Sequence, residues 1–501
     1  MVFWYKIYMM WKKIEAFITK IEPPRWVIIL LAVILILRIP SFFEPYYYGD
    51  EMIYLTLGQG IRHGIALYGG IFDNKPPLLY LTAALAGNLY WFKAILAIWN
   101  LGTILVFWKL ASALFPANSK LVKISSWIFG ILTTLPLLEG NIVNAELFMI
   151  GPTILSFYIL WTKKHTFINI FLAGILIAIA GLFKIPSVFD APVIVIFWLL
   201  TTKLNFRNLK TTLKRTLYLI LGFAVPFLIT FVVFYFQGVL KDYISAAFLQ
   251  NVGYLSSFRP GDVQKPFLVR NLPLLIRGGV VLLGIIILFL RRKHLSKQFI
   301  FLTIWLLCGL FAVTLSERPY PHYLIQVVPE LSMLIAFIFA LENMEQTLVI
   351  IPLCLAFAVP VIYKYGYYST TPYYLRFVKF ATGHMTKEQY LANFSSEVPL
   401  TYKIASFISV SARPTDQIFV TGDASAIYAL TRRLPPGKFV ADYHISDYSS
   451  GKAEADLIST ALPHFIVIRP EKRIFPELVP VLNQSYLLIA NVDGAEIWKT
   501  K

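Results

Sequence analysis

Apolar residues in this chain come in long blocks rather than in narrow stripes of helical period. The blocks fall at roughly 26–43, 94–114, 121–138, 146–162, 166–183, 186–201, 216–236, 272–290, 298–315, 323–341 and 346–363. A helix needs about 20 apolar residues to cross the hydrocarbon core of a bilayer. The pattern therefore predicts about eleven membrane-spanning helices. Residues 41–93 interrupt it and are read as one external loop. Within that loop PPLLYLTAALAGNLYWF (76–92) is apolar but broken by Pro and Gly, so it is read as an interfacial or re-entrant piece. Near residue 364 the blocks stop, and Pro, Ser, Asp and Lys become common. DQIFVTGD (416–423) and HFIVIRP (464–470) read as short buried strands beside turn residues, with stretches of helical period between them. The fold class is thus a polytopic α-helical membrane protein, residues 1–363, with a C-terminal α/β domain, residues 364–501.

Composition agrees with the pattern. Of 501 residues 57% are hydrophobic and 14% charged, with a mean hydropathy of +0.67. Soluble domains carry roughly 25% charged residues. The net charge of +18 could suggest nucleic acid in a soluble chain. Here the basic residues sit between apolar blocks, so they report topology: Lys and Arg collect in cytoplasmic loops. The N-terminal arm carries Lys6, Lys12, Lys13, Lys20 and Arg25. Alternate connections carry Lys120 and Lys123; Lys163 and Lys164; Lys203, Arg207, Lys210, Lys214 and Arg215; and Arg291, Arg292, Lys293 and Lys297. This places the arm inside and the C-terminal domain outside a plasma or inner membrane, with membrane lipids rather than nucleic acid as partners. The short loop 342–345, with Glu342 and Glu345, does not fit the basic pattern. Residues 1–25 are aromatic and basic without a small-residue cleavage pattern, so no cleavable signal is expected. Cys308 and Cys354 both fall in apolar runs and read as small buried hydrophobes, not as a disulfide or metal framework.

Charged groups at membrane depth are costly, so each asks for a reason. Asp50 and Glu51 follow the first block, Asp73 and Lys75 come later in the same loop, and Glu146 opens the fourth block. Lys184 lies between the fifth and sixth blocks, and Arg318 and His322 between the ninth and tenth. Under the topology above, all of them stand at the outer face. Carboxylates with Lys, Arg and His at a water–lipid boundary suit a reaction on a lipid phosphate. A carboxylate can take a proton from an acceptor hydroxyl, and cations can hold a phosphate as charge builds on it.

Plainer readings stand beside these. Asp50 and Glu51 could cap a helix over MIYLTLGQGI, Lys75 and Lys184 could snorkel to head groups, and Glu146 could cap its own helix. Arg277, inside the eighth block, needs a partner, either a lipid phosphate or a Glu. Tyr46, Tyr47 and Tyr48 read as an interfacial belt. The loop 237–271 is either a lid over the donor site or a passive amphipathic connector.

YGDEMIYLTLGQGIRHG (48–64), followed by FDNKPPLLYL (72–81), resembles the first external loop of the large GT-C glycosyltransferases. The protein O-mannosyltransferase-like enzymes and the bacterial aminoarabinose transferases are the nearest groups. NAELFM (144–149), GLFKIP (181–186) and ERPYPHYLIQVVP (317–329) are similar to later motifs of the bacterial members, so the resemblance spans about residues 26–345. It implies Asp50 as the catalytic carboxylate, with Glu51 completing the pair. It places Lys75 near the donor phosphate, with Pro76 and Pro77 after it. The charges at the block ends add Arg318, His322 and Lys184 as candidate phosphate-binding groups and Asp73 and Glu146 as candidate members of the site. The donor the resemblance implies is a polyprenyl-phosphate-linked sugar and the acceptor a protein, lipid or glycan. Aminoarabinose transferases carry a metal-binding Glu directly before the lysine, whereas this chain has Asn74 there. No cofactor is required by the sequence, and a divalent metal stays open.

The function expected is a membrane glycosyltransferase that uses an inverting transfer from a polyprenyl-phosphate sugar. A lipid-linked-sugar transporter or flippase would place polar groups near the midplane, on broken helices within inverted repeats; here they cluster at one face and no repeat is evident. An O-antigen ligase-type enzyme shares the donor chemistry but lacks the paired first-loop motifs. A binding protein would hardly need eleven spans to anchor its outer domain.

Overall fold

The computed structural model describes residues 22–203, 205–252, 266–470 and 475–501. The basic arm at residues 6–20 and the stretch 253–265 of the loop 237–271 lie outside the described residues. Each of the eleven apolar blocks forms a helix. The first is α1 (Arg25–Arg38), continued by a 3₁₀ turn over Ile39–Phe43. In the loop that follows are α2 (Gly49–Arg62) and α3 (Leu78–Ala86). Next come α4 (Leu89–Leu114), α5 (Ser119–Leu132), α6 (Ala145–Thr162), α7 (Phe167–Phe183), α8 (Ala191–Thr201) and α9 (Phe206–Phe236). Then α10 (Phe267–Arg291), α11 (Lys297–Thr314), α12 (Val328–Ala340) and α13 (Ile350–Ile362) complete the helical set.

Among the described residues, eight helical segments are long and apolar enough to cross a membrane by length and composition. Phe167–Phe183 and Ile185–Thr201 are apolar but shorter, and α5 has 14 residues. Every apolar block is thus helical, and eight of the eleven hold a segment of spanning length. The piece at 76–92 splits: α3 has 9 residues, about 14 Å of helix at 1.5 Å per residue, which is too short to cross. Gly87 ends it at φ 69°, and Asn88 caps α4 by accepting from Trp91 N–H.

Burial shows which helices are central. In α11, 83% of the apolar window is buried, against 17% in α9 and 11% in α10. The outward faces of α9 and α10 carry Leu217, Ile220, Leu228, Leu272, Leu275 and Leu282 exposed, an apolar surface that lipid would cover. α9 still packs closely on α7, because a Cβ on Gly174 would stand 2.2 Å from Leu219 O.

After α13 come α14 (Thr370–Ala381) and α15 (Glu397–Ser411), then a four-stranded sheet with helices around it. The strands are β1 (Ile418–Val420), β2 (Phe465–Ile468), β3 (Tyr486–Val492) and β4 (Ala495–Thr500), in the order β1-β2-β4-β3. β1 and β2 are the two strands expected, and they pair in parallel with Ile418 opposite Phe465. β4 runs antiparallel to both β2 and β3. Between β1 and β2 lie α16 (Ser425–Thr431), α17 (Asp442–Tyr448) and α18 (Gly451–Ala461). This unit packs on the first long loop: Phe72 N–H donates to Lys438 O at 2.8 Å, and Phe72 packs edge-on against Phe439, His444 and Tyr448.

Two expectations change, and two open points are resolved. Tyr46, Tyr47 and Tyr48 are half-buried in protein contacts rather than forming a belt: Tyr46 N–H donates to Tyr402 OH, Tyr47 packs on Phe394, and Tyr48 OH donates to Glu139. Cys308 is buried, but Cys354 points out of α13 and is exposed. Glu345 is explained by capping, since its carboxylate accepts from Ser296 N–H and Oγ–H at the start of α11. Arg277 finds the Glu option, with its guanidinium 2.6 Å from Glu317.

Candidate active site

α2 starts at Gly49, which puts Asp50 and Glu51 in its first turn, where the N-terminal partial charge favours carboxylates. Successive helical residues point about 100° apart, and here that separates the pair. Asp50 keeps its side chain 35% exposed. Its Oδ2 accepts from Tyr54 OH at 2.8 Å, one turn along the helix, and lies 3.5 Å from Lys75 Nζ. Glu51 points the other way and is fully buried. Its Oε1 is 2.6 Å from Lys93 Nζ and accepts from Val143 N–H at 2.6 Å. The two acids of the pair are thus separated: Glu51 Oε1 is engaged by a lysine and a backbone amide away from the side on which Asp50 is exposed. Lys93 also bonds Glu44, which accepts in turn from Asn141, so two acids share one ammonium and tie the first loop to α4 and to the turn before α6.

Lys75 is held on its backbone from both sides. Its N–H donates to Tyr80 OH at 3.1 Å, and its carbonyl accepts from Tyr68 OH at 2.8 Å. Pro76 and Pro77 then fix the entry into α3. The ammonium lies 3.5 Å from Asp50, 3.7 Å from Asp73 and 5.0 Å from the centre of the Tyr54 ring. Asp73 is buried and fully engaged, accepting from Asn74 N–H and Tyr80 OH and standing 3.3 Å from His444 Nε2. The juxtaposition of α2 and α3 depends on Gly58, where a Cβ would come 2.6 Å from Ala84 N and 2.7 Å from Ala83 C.

A second group adjoins the first. Glu146, in the first turn of α6, pairs with Lys184, the residue that ends α7. The Lys184 ammonium rests 3.7 Å above the Tyr323 ring. His322 Nε2 is 3.8 Å from Glu146, and its Nδ1 bonds Glu139. Glu139 has a left-handed backbone, φ 58° and ψ 33°, uncommon for a residue with a Cβ. Arg318 is exposed in the same connection, four positions before His322.

The electrostatics follow from this packing. Burial raises the Asp50 carboxyl and Asp73 adds to that, but Lys75, helped by Tyr54 OH and His322, outweighs both and leaves it below the ordinary range. Asp73 is held well below that range, as Lys75 and His444 overcome its burial. Lys75 is raised, because the two aspartates overcome its own desolvation. Glu51 differs: burial pushes it up to about 7 against the pull of Lys93, with Glu44 adding to the rise.

Of the eight residues singled out in the sequence, Asp50, Asp73 and Lys75 form one contact group, and Glu146, Lys184 and His322 the other. Glu139, Glu44, Lys93, Tyr54, Tyr80 and His444 were missed. Glu139 had a signal, a polar Glu-Gly-Asn triplet between two apolar blocks; His444 has none, being brought in by long-range packing. Asp50 Oδ2 and Asp73 Oδ2 both face the Lys75 ammonium, and each accepts from a tyrosine hydroxyl, Tyr54 and Tyr80 respectively.

No family model matches the sequence, and no curated protein matches it. Solved structures do resemble it. The oligosaccharyltransferase AglB of Archaeoglobus fulgidus, solved with an inhibitory peptide and a dolichol-phosphate, aligns at TM-score 0.44 and 13% identity over 95% of this chain and 74% of that chain. ArnT of Cupriavidus metallidurans, solved bound to undecaprenyl phosphate, aligns at TM-score 0.58 and 16% identity over 94% of this chain and 97% of that one. Over nearly its whole length the chain is thus similar in fold to ArnT.

Proposed function

We propose that the protein is a membrane glycosyltransferase that moves a sugar from a polyprenyl-phosphate donor to an acceptor hydroxyl at the outer face of the membrane. The observation that carries this reading is the contact of Asp50, a partly exposed carboxylate, with Lys75, an ammonium fixed at its backbone by two tyrosines. The undecaprenyl phosphate bound to ArnT supports a lipid phosphate as the donor's leaving group here.

In the reaction, the acceptor oxygen attacks the anomeric carbon and Asp50 takes the hydroxyl proton. The bond from that carbon to the phosphate oxygen breaks, its electron pair stays on the polyprenyl phosphate, and the anomeric configuration inverts. Lys75 and Lys184 hold the phosphate as its charge grows. A leaving phosphate is stable as an anion and needs no dedicated general acid. In the free enzyme Lys75 keeps Asp50 ionised but weakly basic. Donor phosphate draws the ammonium toward itself, which raises the carboxyl toward the range where a base works best. Glu146 and His322 then position Lys184. The two ammonium groups serve as the phosphate ligands. Arg318, in the same connection as His322, is assigned to the mouth of the site, where it meets the donor phosphate on entry.

The test is a membrane assay with a panel of radiolabelled polyprenyl-phosphate sugars, comparing wild type with Asp50→Asn. Label transferred to a membrane or peptide acceptor by wild type alone supports the reading; no transfer from any donor, or equal transfer by both proteins, overturns it.

A further inference from the structure

Beside the reaction centre lies a cavity of about 230 Å³ whose walls include Tyr47, Tyr48, Glu139, Tyr368, Arg376 and Phe394. Neither Asp50 nor either site lysine lines it. At that volume it falls below the roughly 300–1,000 Å³ of sites for drug-sized ligands, so it suits one small ring. Its surfaces are aromatic and polar in alternation. Tyr47 and Phe394 pack with ring centres 4.9 Å apart, and the Arg376 guanidinium lies 3.7 Å over Phe394 and 5.8 Å from Tyr373. The Arg376 Nε atom is buried and meets no hydrogen-bond acceptor. On the opposite wall the Glu139 carboxylate accepts from Tyr48 OH at 2.9 Å, and Tyr368 OH faces the same carboxylate.

We infer that this cavity is the acceptor subsite and that it seats a neutral sugar ring of the acceptor, with Arg376, Glu139 and the tyrosine hydroxyls bonding the ring hydroxyls and the aromatic faces packing on its C–H faces. The inference deepens the transferase reading and rests on it. Three observations carry it. First, one arginine faces one glutamate, so the cavity has no net charge to hold a phosphate; the donor's lipid phosphate belongs at the lysines. Second, Glu139 keeps its left-handed backbone because Gly140 packs onto the end of α5, where a Cβ would stand 2.7 Å from Thr133 C. A strained acidic residue held this way is a built feature rather than a slack turn. Third, the cavity communicates with the reaction centre. Tyr48 is two residues before Asp50, and Glu139 bonds both Tyr48 and His322. A ring bonded to Glu139 would share that carboxylate with His322, which adjoins Glu146 and its partner Lys184. The remaining wall comes from residues 368–394, where Tyr373 OH bonds Glu44 and Tyr374 OH bonds Leu37 O.

The experiment uses the full chain in lipid nanodiscs. Saturation-transfer difference NMR is recorded with methyl glucoside, methyl mannoside and methyl galactoside. Wild type and Asp50→Asn should both saturate the ring protons of at least one glycoside, and Arg376→Ala should reduce that signal at least fivefold. Arg376→Lys, which keeps the charge, should recover part of it, and gel filtration confirms that each variant is folded. In turnover, Arg376→Ala should raise the acceptor KM about tenfold. Absence of saturation for every glycoside, or equal saturation in wild type and Arg376→Ala, overturns the subsite. Arg376-dependent binding with no turnover of any donor supports the sugar subsite and overturns the transferase reading instead.

Discussion

His444 Nε2 lies 3.3 Å from Asp73 Oδ1, so a histidine from the C-terminal segment reaches the carboxylate that holds Lys75. His444 is fully buried and packs edge-on against Phe72, with ring centres 5.5 Å apart. The sheet-bearing segment therefore forms one wall of the site. His444→Phe keeps the ring and removes the nitrogens, leaving Asp73 free to draw Lys75 toward itself. The donor KM should rise about three- to tenfold, roughly 0.7–1.4 kcal/mol, with the melting temperature nearly unchanged. A variant with wild-type donor kinetics would show that the contact is packing alone.

The split of the Asp-Glu pair gives opposite expectations for neighbouring residues. Asp50→Asn removes the base, and general-base catalysis contributes about 10²–10⁴-fold, so transfer should fall by at least about a hundredfold in a folded protein. Glu51→Gln should retain most of the transfer. It keeps the acceptor for Val143 N–H and removes one of two acids that share Lys93. Lys93→Met leaves both acids uncompensated and should cost about 3–5 kcal/mol of stability, as a broken buried pair does. Radiolabel transfer read alongside thermal unfolding separates the cases, and an inactive but stable Glu51→Gln would return Glu51 to the chemistry.

The pH profile tests the Lys75 contact. The base must be ionised, so the rate is lost as pH falls through its pKa. Because Lys75 holds Asp50 below the ordinary carboxylate range, kcat/KM, which reports the free enzyme, should stay flat from neutral pH to about 5. Its acid limb should lie below the ordinary value of about 3.9. Lys75→Met removes the main opposing charge and lets burial dominate, so the limb should move up toward neutral pH. For kcat, where phosphate competes for Lys75, the limb should already lie higher in wild type. An acid limb near pH 6 in wild-type kcat/KM would contradict the pairing.

Since the Lys75 ammonium stands 3.5 Å from Asp50 Oδ2 and 3.7 Å from Asp73 Oδ2, where it can hold the donor phosphate itself, transfer should survive chelation. Activity in excess EDTA should stay within about twofold of the untreated rate, measured at saturating donor. Loss that a divalent cation restores would mean that Lys75 yields its place to a metal.

Much of the architecture was legible because lipid imposes a simple rule: a spanning segment must be apolar and satisfy its backbone internally. That rule marks every helix from α1 to α13 outside the first loop. It does not fix length, so α5 and α7 were read as full spans although each is shorter. In the site, Asp50, Lys75, Glu146, Lys184 and His322 were visible as charges at block ends. The direction of Glu51 was not visible, because helical phase relative to Lys93 depends on how α2 packs against α4. Glu44 and Lys93 look like ordinary boundary charges until the packing places them 2.7 Å apart. His444 and the strands β3 and β4 depend on contacts far apart in sequence, which no local pattern carries.

The position of Asp50 relative to Lys75 rests finally on how closely α2 approaches α3. In an exposed helix, Gly→Ala gains up to about 1 kcal/mol from propensity. At Gly58 the added Cβ would meet the backbone of α3 at 2.6–2.7 Å, atoms that cannot rotate away. Gly58→Ala should therefore push α2 outward and carry Asp50, two turns earlier, away from Lys75. A misplacement near 1 Å can lower a rate by about a hundredfold. The expected result is a fall in kcat of about ten- to a hundredfold, with a melting temperature lowered by several degrees and the cavity by Arg376 still able to bind glycosides. Unchanged kcat would mean that the approach of the two helices is slack, and that Lys75 is placed by its tyrosine contacts alone.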